Sequence, residues 1–130
     1  MRVLIDTHIF LWLITGDAKM PAKFRATILD PSHEVLLSVA SVWEAVIKHS
    51  LGKLPLPAAP AEYLPRQRAA HRITELPIDE SAMIHLASLP PIHRDPFDRI
   101  LIAQSLQHGL TLATVDPVVR SYGVRLLPLM

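Results

Sequence analysis

The chain has 130 residues, enough for one domain around a single core. Half of them are hydrophobic and 19% are charged, which excludes a disordered tail. A net charge of +1 gives no bulk attraction to nucleic acid, and the lack of cysteine excludes disulfides, thiolate zinc sites and cysteine nucleophiles.

Met1-Arg2-Val3-Leu4-Ile5-Asp6 is a short apolar run ending in a carboxylate, the pattern of a strand buried on both faces. Asp6 and His8 interrupt the apolar residues that follow Arg2, so no secretory or membrane-spanning core forms there, and a cytoplasmic protein without membrane contact is expected. His8 to Thr15 predicts a helix closed by Gly16, and Pro21 to Leu29 a second one with proline at an allowed first position. Glu34 to Ser38 predicts another buried strand. Ser41 to Leu51 predicts a helix ended by Gly52, with Val42, Ala45, Val46 and Ile47 on its inner face.

The proline-rich stretch from Pro55 to Pro60 is too short for a domain linker and predicts a rigid loop. A helix at Ala61–Ala70 and a short strand at Ile73–Glu75 follow. Asp79 is placed to cap a helix running through Met83 and Leu86 to Leu89. Pro90 to Pro96 must be a loop. Phe97 to His108 predicts an apolar helix stopped by Gly109, then a strand at Leu110–Thr114, a short helix at Pro117–Tyr122 and a final strand at Val124–Leu127. Strands alternating with helices predict a single α/β domain spanning 1–130, its parallel sheet covered on both faces.

Ligands of such sheets bind beyond the carboxyl ends of the strands. Asp6 ends the first predicted strand, Glu44 and Asp98 each fall in the first turn of a helix, and Asp116 follows the strand ending at Thr114. Four carboxylates on one edge repel one another, and a divalent cation resolves that conflict. All-oxygen donors select Mg²⁺ or Mn²⁺, which can activate water for attack on a phosphodiester. Each acid also has a structural reading. Ser41-Val42-Trp43-Glu44 has the form of a capping box, which taken alone favours Glu44 bonding back to the Ser41 amide. Asp98 and Asp116 suit helix starts, and Asp6, if buried, needs Thr7 or a backbone amide. The coincidence of all four on one edge favours the metal site.

The segments Leu4-Ile5-Asp6-Thr7-His8, Ser38 to Lys48, His93 to Gln104 and Leu112-Ala113-Thr114-Val115-Asp116 together resemble the PIN-domain ribonucleases, specifically the VapC-type toxins of bacterial toxin–antitoxin pairs. The resemblance covers essentially the whole chain. It implies a three-layer α/β/α sandwich with a mostly parallel sheet, and RNA endonuclease activity with Mg²⁺ or Mn²⁺. It places the family's acids on Asp6, Glu44, Asp98 and Asp116, and the supporting hydroxyl on Thr114. It also implies a homodimer held inactive by a VapB-type antitoxin that inserts a segment near the acids.

Asp95 shares the region of Asp98 as a fifth ligand, a supporting acid or a loop cap, the last two being favoured. Lys48, one turn after Glu44, is either an ion-pair partner or a charge near the scissile phosphate. Arg94 and Arg99 flank the acids as RNA contacts or as counter-charges, and Arg66, Arg68 and Arg72 suit a solvated helix face. The seven histidines show no paired spacing, so zinc is not expected. Trp12 and Trp43 suit packing better than base stacking. The alternatives to a nuclease toxin are a non-catalytic RNA- or protein-binding module and a phosphohydrolase using Asp6. The second normally needs another Asp where His8 stands.

Overall fold

In the computed structural model, which describes Met1 to Met130, the strand β1 (Arg2–Ile5) anchors the fold. Its Val3, Leu4 and Ile5 are wholly buried, and each such side chain contributes about 1.5–3 kcal/mol. Val3 and Ile5 face one core with Phe10, Phe24, Val35 and Leu37, while Leu4 faces a second with Leu36, Leu101 and Leu112. Apolar side chains on both faces demand cover on both, and this produces three layers.

From β1 the chain passes through α1 (Thr7–Thr15) and α2 (Ala22–Leu29) to β2 (Glu34–Ser38), then α3 (Val39–Ser50), α4 (Pro60–Ala70) and β3 (Thr74–Leu76). It continues through α5 (Ala82–Ser88), α6 (Pro96–His108), β4 (Thr111–Ala113) and α7 (Pro117–Arg120). The sheet order is β3-β2-β1-β4, and every pairing is parallel. In register, Ile5 pairs with Leu37 on one side and Ala113 on the other, so the carboxyl ends of β1, β2 and β4 lie together. The order reverses beside β1, which is where an open parallel sheet leaves a crevice. No helix is long and apolar enough to cross a membrane.

Several boundaries differ from the sequence expectation, each for a local reason. The helix α3 starts at Val39, not Ser41, because the Ser38 hydroxyl accepts the Ala40 amide as its cap. That start turns Ser41, Glu44 and Ala45 inward and leaves Val46 and Ile47, expected inside, exposed. The strand β3 begins one residue late, since the Ile73 amide still donates to the Arg68 carbonyl after Arg72 turns left-handed at φ 56°. Asp79 does not cap α5; its carboxylate takes the Ser81 hydroxyl and the Gln107 amide. The final strand shrinks to a single parallel bridge between Leu112 and Leu126; the Leu127 and Thr114 carbonyls, where the ladder would continue, both accept the Arg120 guanidinium.

Candidate metal centre

Asp6 leaves β1 as the N-cap of α1, its Oδ1 accepting the Ile9 amide at 2.9 Å. The cap holds a nearly buried carboxylate at the sheet edge, and burial pushes its pKa up. The Thr114 hydroxyl, the Ile9 amide and His8 pull the other way, and the Glu44 charge adds to the rise. Thr114, itself fully buried, also accepts the Asp116 amide at 3.1 Å, so one hydroxyl serves two of the acids. Asp116 caps α7 through the Val118 and Val119 amides, as its place before Pro117 suggested.

Glu44 is buried in the middle of α3 and makes no capping box. Its Oε1 accepts the Thr7 hydroxyl at 2.8 Å, and its Oε2 accepts the Lys48 ammonium one turn on. Burial disfavours the Lys48 charge, but the Glu44 bond and charge, with Asp95 and Asp98 beyond, outweigh it and raise its pKa. Lys48 therefore stays cationic at the rim of the acids.

Asp95 is the N-cap of α6, its Oδ1 taking the Phe97 and Asp98 amides. Relieved of capping, Asp98 points its carboxylate to His93, with Nε2 and Oδ2 2.7 Å apart. Burial drives the Asp98 pKa up to about 6; His93 opposes this, while the charges of Asp95, Glu44 and Asp6 reinforce it. The His93 Nε2 also lies 3.9 Å from Asp116 Oδ2, and one donor atom each from His93, Asp98 and Asp116 fall within 4.8 Å of one another. Asp6 and Glu44 stand outside that trio and act on Asp98 through their charge.

The donor set fits a hard divalent cation. Crowded carboxylates, one forced to about pH 6 by burial and like charge, are what such an ion relieves. Arg94 is exposed beside the acids and makes no ion pair, whereas Arg99 spends its Nη1 on the carbonyls of Pro90 and His93 and on the Tyr122 hydroxyl. An open depression lined by Asp6, His8, Trp12 and Asp116 adjoins the acids. Trp43 is more than half exposed and meets Phe97 edge to face at 5.0 Å.

Sequence reasoning missed His93, because it sought metal-binding histidines only as pairs. Its place in the short run leading to Asp98 was the available signal. Thr7, whose hydroxyl reaches both Glu44 and the Ser41 hydroxyl, was expected to serve Asp6, and Ser41 was expected to cap the helix.

Ribonuclease VapC16 of Mycobacterium tuberculosis is 38% identical to this chain over 61 residues, 47% of this chain and 43% of that protein. The match thus spans less than half of that relative. The fold is similar to a chain of VapBC2 from Rickettsia felis bound to a DNA fragment from their promoter, with TM-score 0.74, 11% identity and 98% of each chain covered. A chain of a toxin–antitoxin complex from Klebsiella pneumoniae gives TM-score 0.66 at 17% identity, again over 98% of each chain. Residues 3–124 match the PIN domain, and with that span of its sequence, its parallel sheet and its edge of acids, the chain belongs to the PIN-domain family.

Proposed function

We propose that this chain is a Mg²⁺- or Mn²⁺-dependent endoribonuclease acting as a toxin, neutralised by a VapB-type antitoxin. The observation that carries the reading is the convergence of Asp6, Glu44, Asp98 and Asp116 at the carboxyl edge of the sheet, where Asp98 titrates near 6. A bound divalent cation supplies Lewis-acid polarisation of a phosphoryl oxygen and a water of lowered pKa. In this reading Asp98 and Asp116 provide carboxylates for the ion, and Asp6, fixed by its cap, supplies charge from beneath. Glu44 serves through its charge and by fixing Lys48, whose ammonium faces the developing negative charge on the phosphate. Thr114 keeps Asp6 and Asp116 in register, and Asp95 sets the first turn of α6. Arg94 is the free cation for the RNA backbone, while Arg99 holds a loop.

The test is cleavage of a mixed cellular RNA pool by purified protein in Mg²⁺, Mn²⁺ or EDTA, beside Asp98→Asn. Discrete cuts that need the metal and fall at least about 100-fold in the variant are expected. Undiminished cleavage by folded Asp98→Asn, or RNA binding with no metal-dependent cleavage, would overturn the reading, the latter in favour of a binding module.

A further inference from the structure

We propose that His93 is a nitrogen ligand of the divalent cation held by Asp98 and Asp116, so that the site is a mixed nitrogen–oxygen centre favouring Mn²⁺ over Mg²⁺. This rests on the metal-dependent reading above and adds a donor to it.

The geometry is the first argument. Metal–oxygen bonds of about 2.1 Å place neighbouring octahedral donors about 3 Å apart and opposite ones about 4.2 Å apart. The separations of His93 Nε2 from the Asp98 and Asp116 oxygens, 2.7 and 3.9 Å, each fall a few tenths of an ångström short of those two values. The short separation is that of a hydrogen bond, and exchanging its proton for an ion needs an opening of a few tenths of an ångström. Nε2, the nitrogen that faces both carboxylates, is the one whose lone pair would be offered.

The second argument is how His93 is held. His93 sits on a clamped backbone, which fixes where its ring starts from. Its amide donates to the Tyr122 hydroxyl at 2.8 Å, and that hydroxyl donates to the Pro90 carbonyl at 3.1 Å. Arg99 Nη1 reaches the same hydroxyl at 3.2 Å, the Pro90 carbonyl at 3.0 Å and the His93 carbonyl at 3.4 Å. Tyr122 is almost completely buried, and its hydroxyl, donating once and accepting twice, is fully used on this loop. Tyr122 and Arg99 are thus positioning residues for His93.

An imidazole in place of a carboxylate or water shifts the donor set towards transition metals. Mg²⁺ gains little from nitrogen, so Mn²⁺ has the advantage.

The experiment titrates Mn²⁺ into the whole protein by electron paramagnetic resonance and reads ¹⁴N coupling to the bound ion by electron spin echo envelope modulation. Wild type, His93→Ala, Tyr122→Phe and His8→Ala are compared; His8 is the control because it adjoins Asp6. Nitrogen coupling is expected in wild type and His8→Ala, reduced in Tyr122→Phe and absent in His93→Ala. Mn²⁺ affinity should fall about 10-fold or more in His93→Ala. Displacement of Mn²⁺ by Mg²⁺ should become easier by a similar factor. Bound Mn²⁺ without nitrogen coupling in wild type, or coupling that survives in His93→Ala, overturns this assignment alone. A wild-type protein that binds no Mn²⁺ overturns the metal-dependent reading with it.

Discussion

Asp98 shows how a carboxylate is made ready for an ion at a cost to the free protein. Its pKa of about 6 in the fold lies above the ordinary 3.8, so the folded state binds its proton first as pH falls. Below about 4 the group is neutral folded or unfolded and contributes nothing. As pH rises through about 6 the folded chain must hold a crowded charge that the unfolded chain holds freely, and stability drops. In metal-free buffer at neutral pH, Asp98→Asn is therefore expected to raise stability, by on the order of 1–2 kcal/mol after solvent screening. The gain should vanish at acidic pH, and Mn²⁺ should raise the melting temperature of wild type alone. Thermal melts across pH check this; a destabilised variant at neutral pH would contradict it. The placing of Asp6, Asp98 and Asp116 at a strand end or a helix start was legible in the sequence, whereas Glu44, expected in a first turn, lies mid-helix. His93 stood in the run leading to Asp98, but its part in the site was not legible, since the loop that carries it is held by Tyr122, 29 residues further on.

At the scale of the element, the turn from β1 into α1 does two things with one side chain. Asp6 caps the helix and contributes charge to the acids. Asparagine caps as well as aspartate, so the two roles separate by substitution. Asp6→Asn is expected to melt near wild type yet lose cleavage, whereas Asp6→Ala loses cleavage and about 1 kcal/mol of stability. Melting curves and RNA cleavage of both variants distinguish them, and full activity in Asp6→Asn would remove Asp6 from the site. The existence of this strand and helix was plain in Val-Leu-Ile-Asp and the following apolar run. The start of α3 was not, because Ser38 and Ser41 are both credible caps. The choice falls on Ser38 because Ser41 and Glu44 find hydrogen-bond partners inside, around Thr7.

That rotation of α3 matters for the whole molecule. With its polar side turned inward, the helix presents Val39, Trp43, Val46, Ile47 and Leu51 to solvent in one row. An apolar row of this kind suits a protein partner, and we propose that a second copy of this chain is that partner. Sedimentation of the purified chain is expected to show a dimer, and Ile47→Asp, whose side chain makes none of the bonds that hold the acids, a monomer with its melting profile retained. A wild-type monomer, or a dimer undisturbed by the substitution, would place the interface elsewhere or remove it. The alternation of strands and helices made the parallel, doubly covered sheet legible from sequence. The neighbour order within the sheet was not, because Val3, Leu4 and Ile5 are equally apolar on both faces and name no partner strand.

The central place of β1, with β2 on one side and β4 on the other, also governs when the acids can meet. Asp6 and Asp116 belong to neighbouring strands' ends yet are separated by more than a hundred residues of chain. During synthesis the first acid emerges long before the last, and β1 has no β4 beside it until residue 113 is free to pair. A nascent chain on the ribosome therefore carries the parts of the acidic edge without the edge itself. Whatever chemistry that edge performs begins only after translation has passed Asp116.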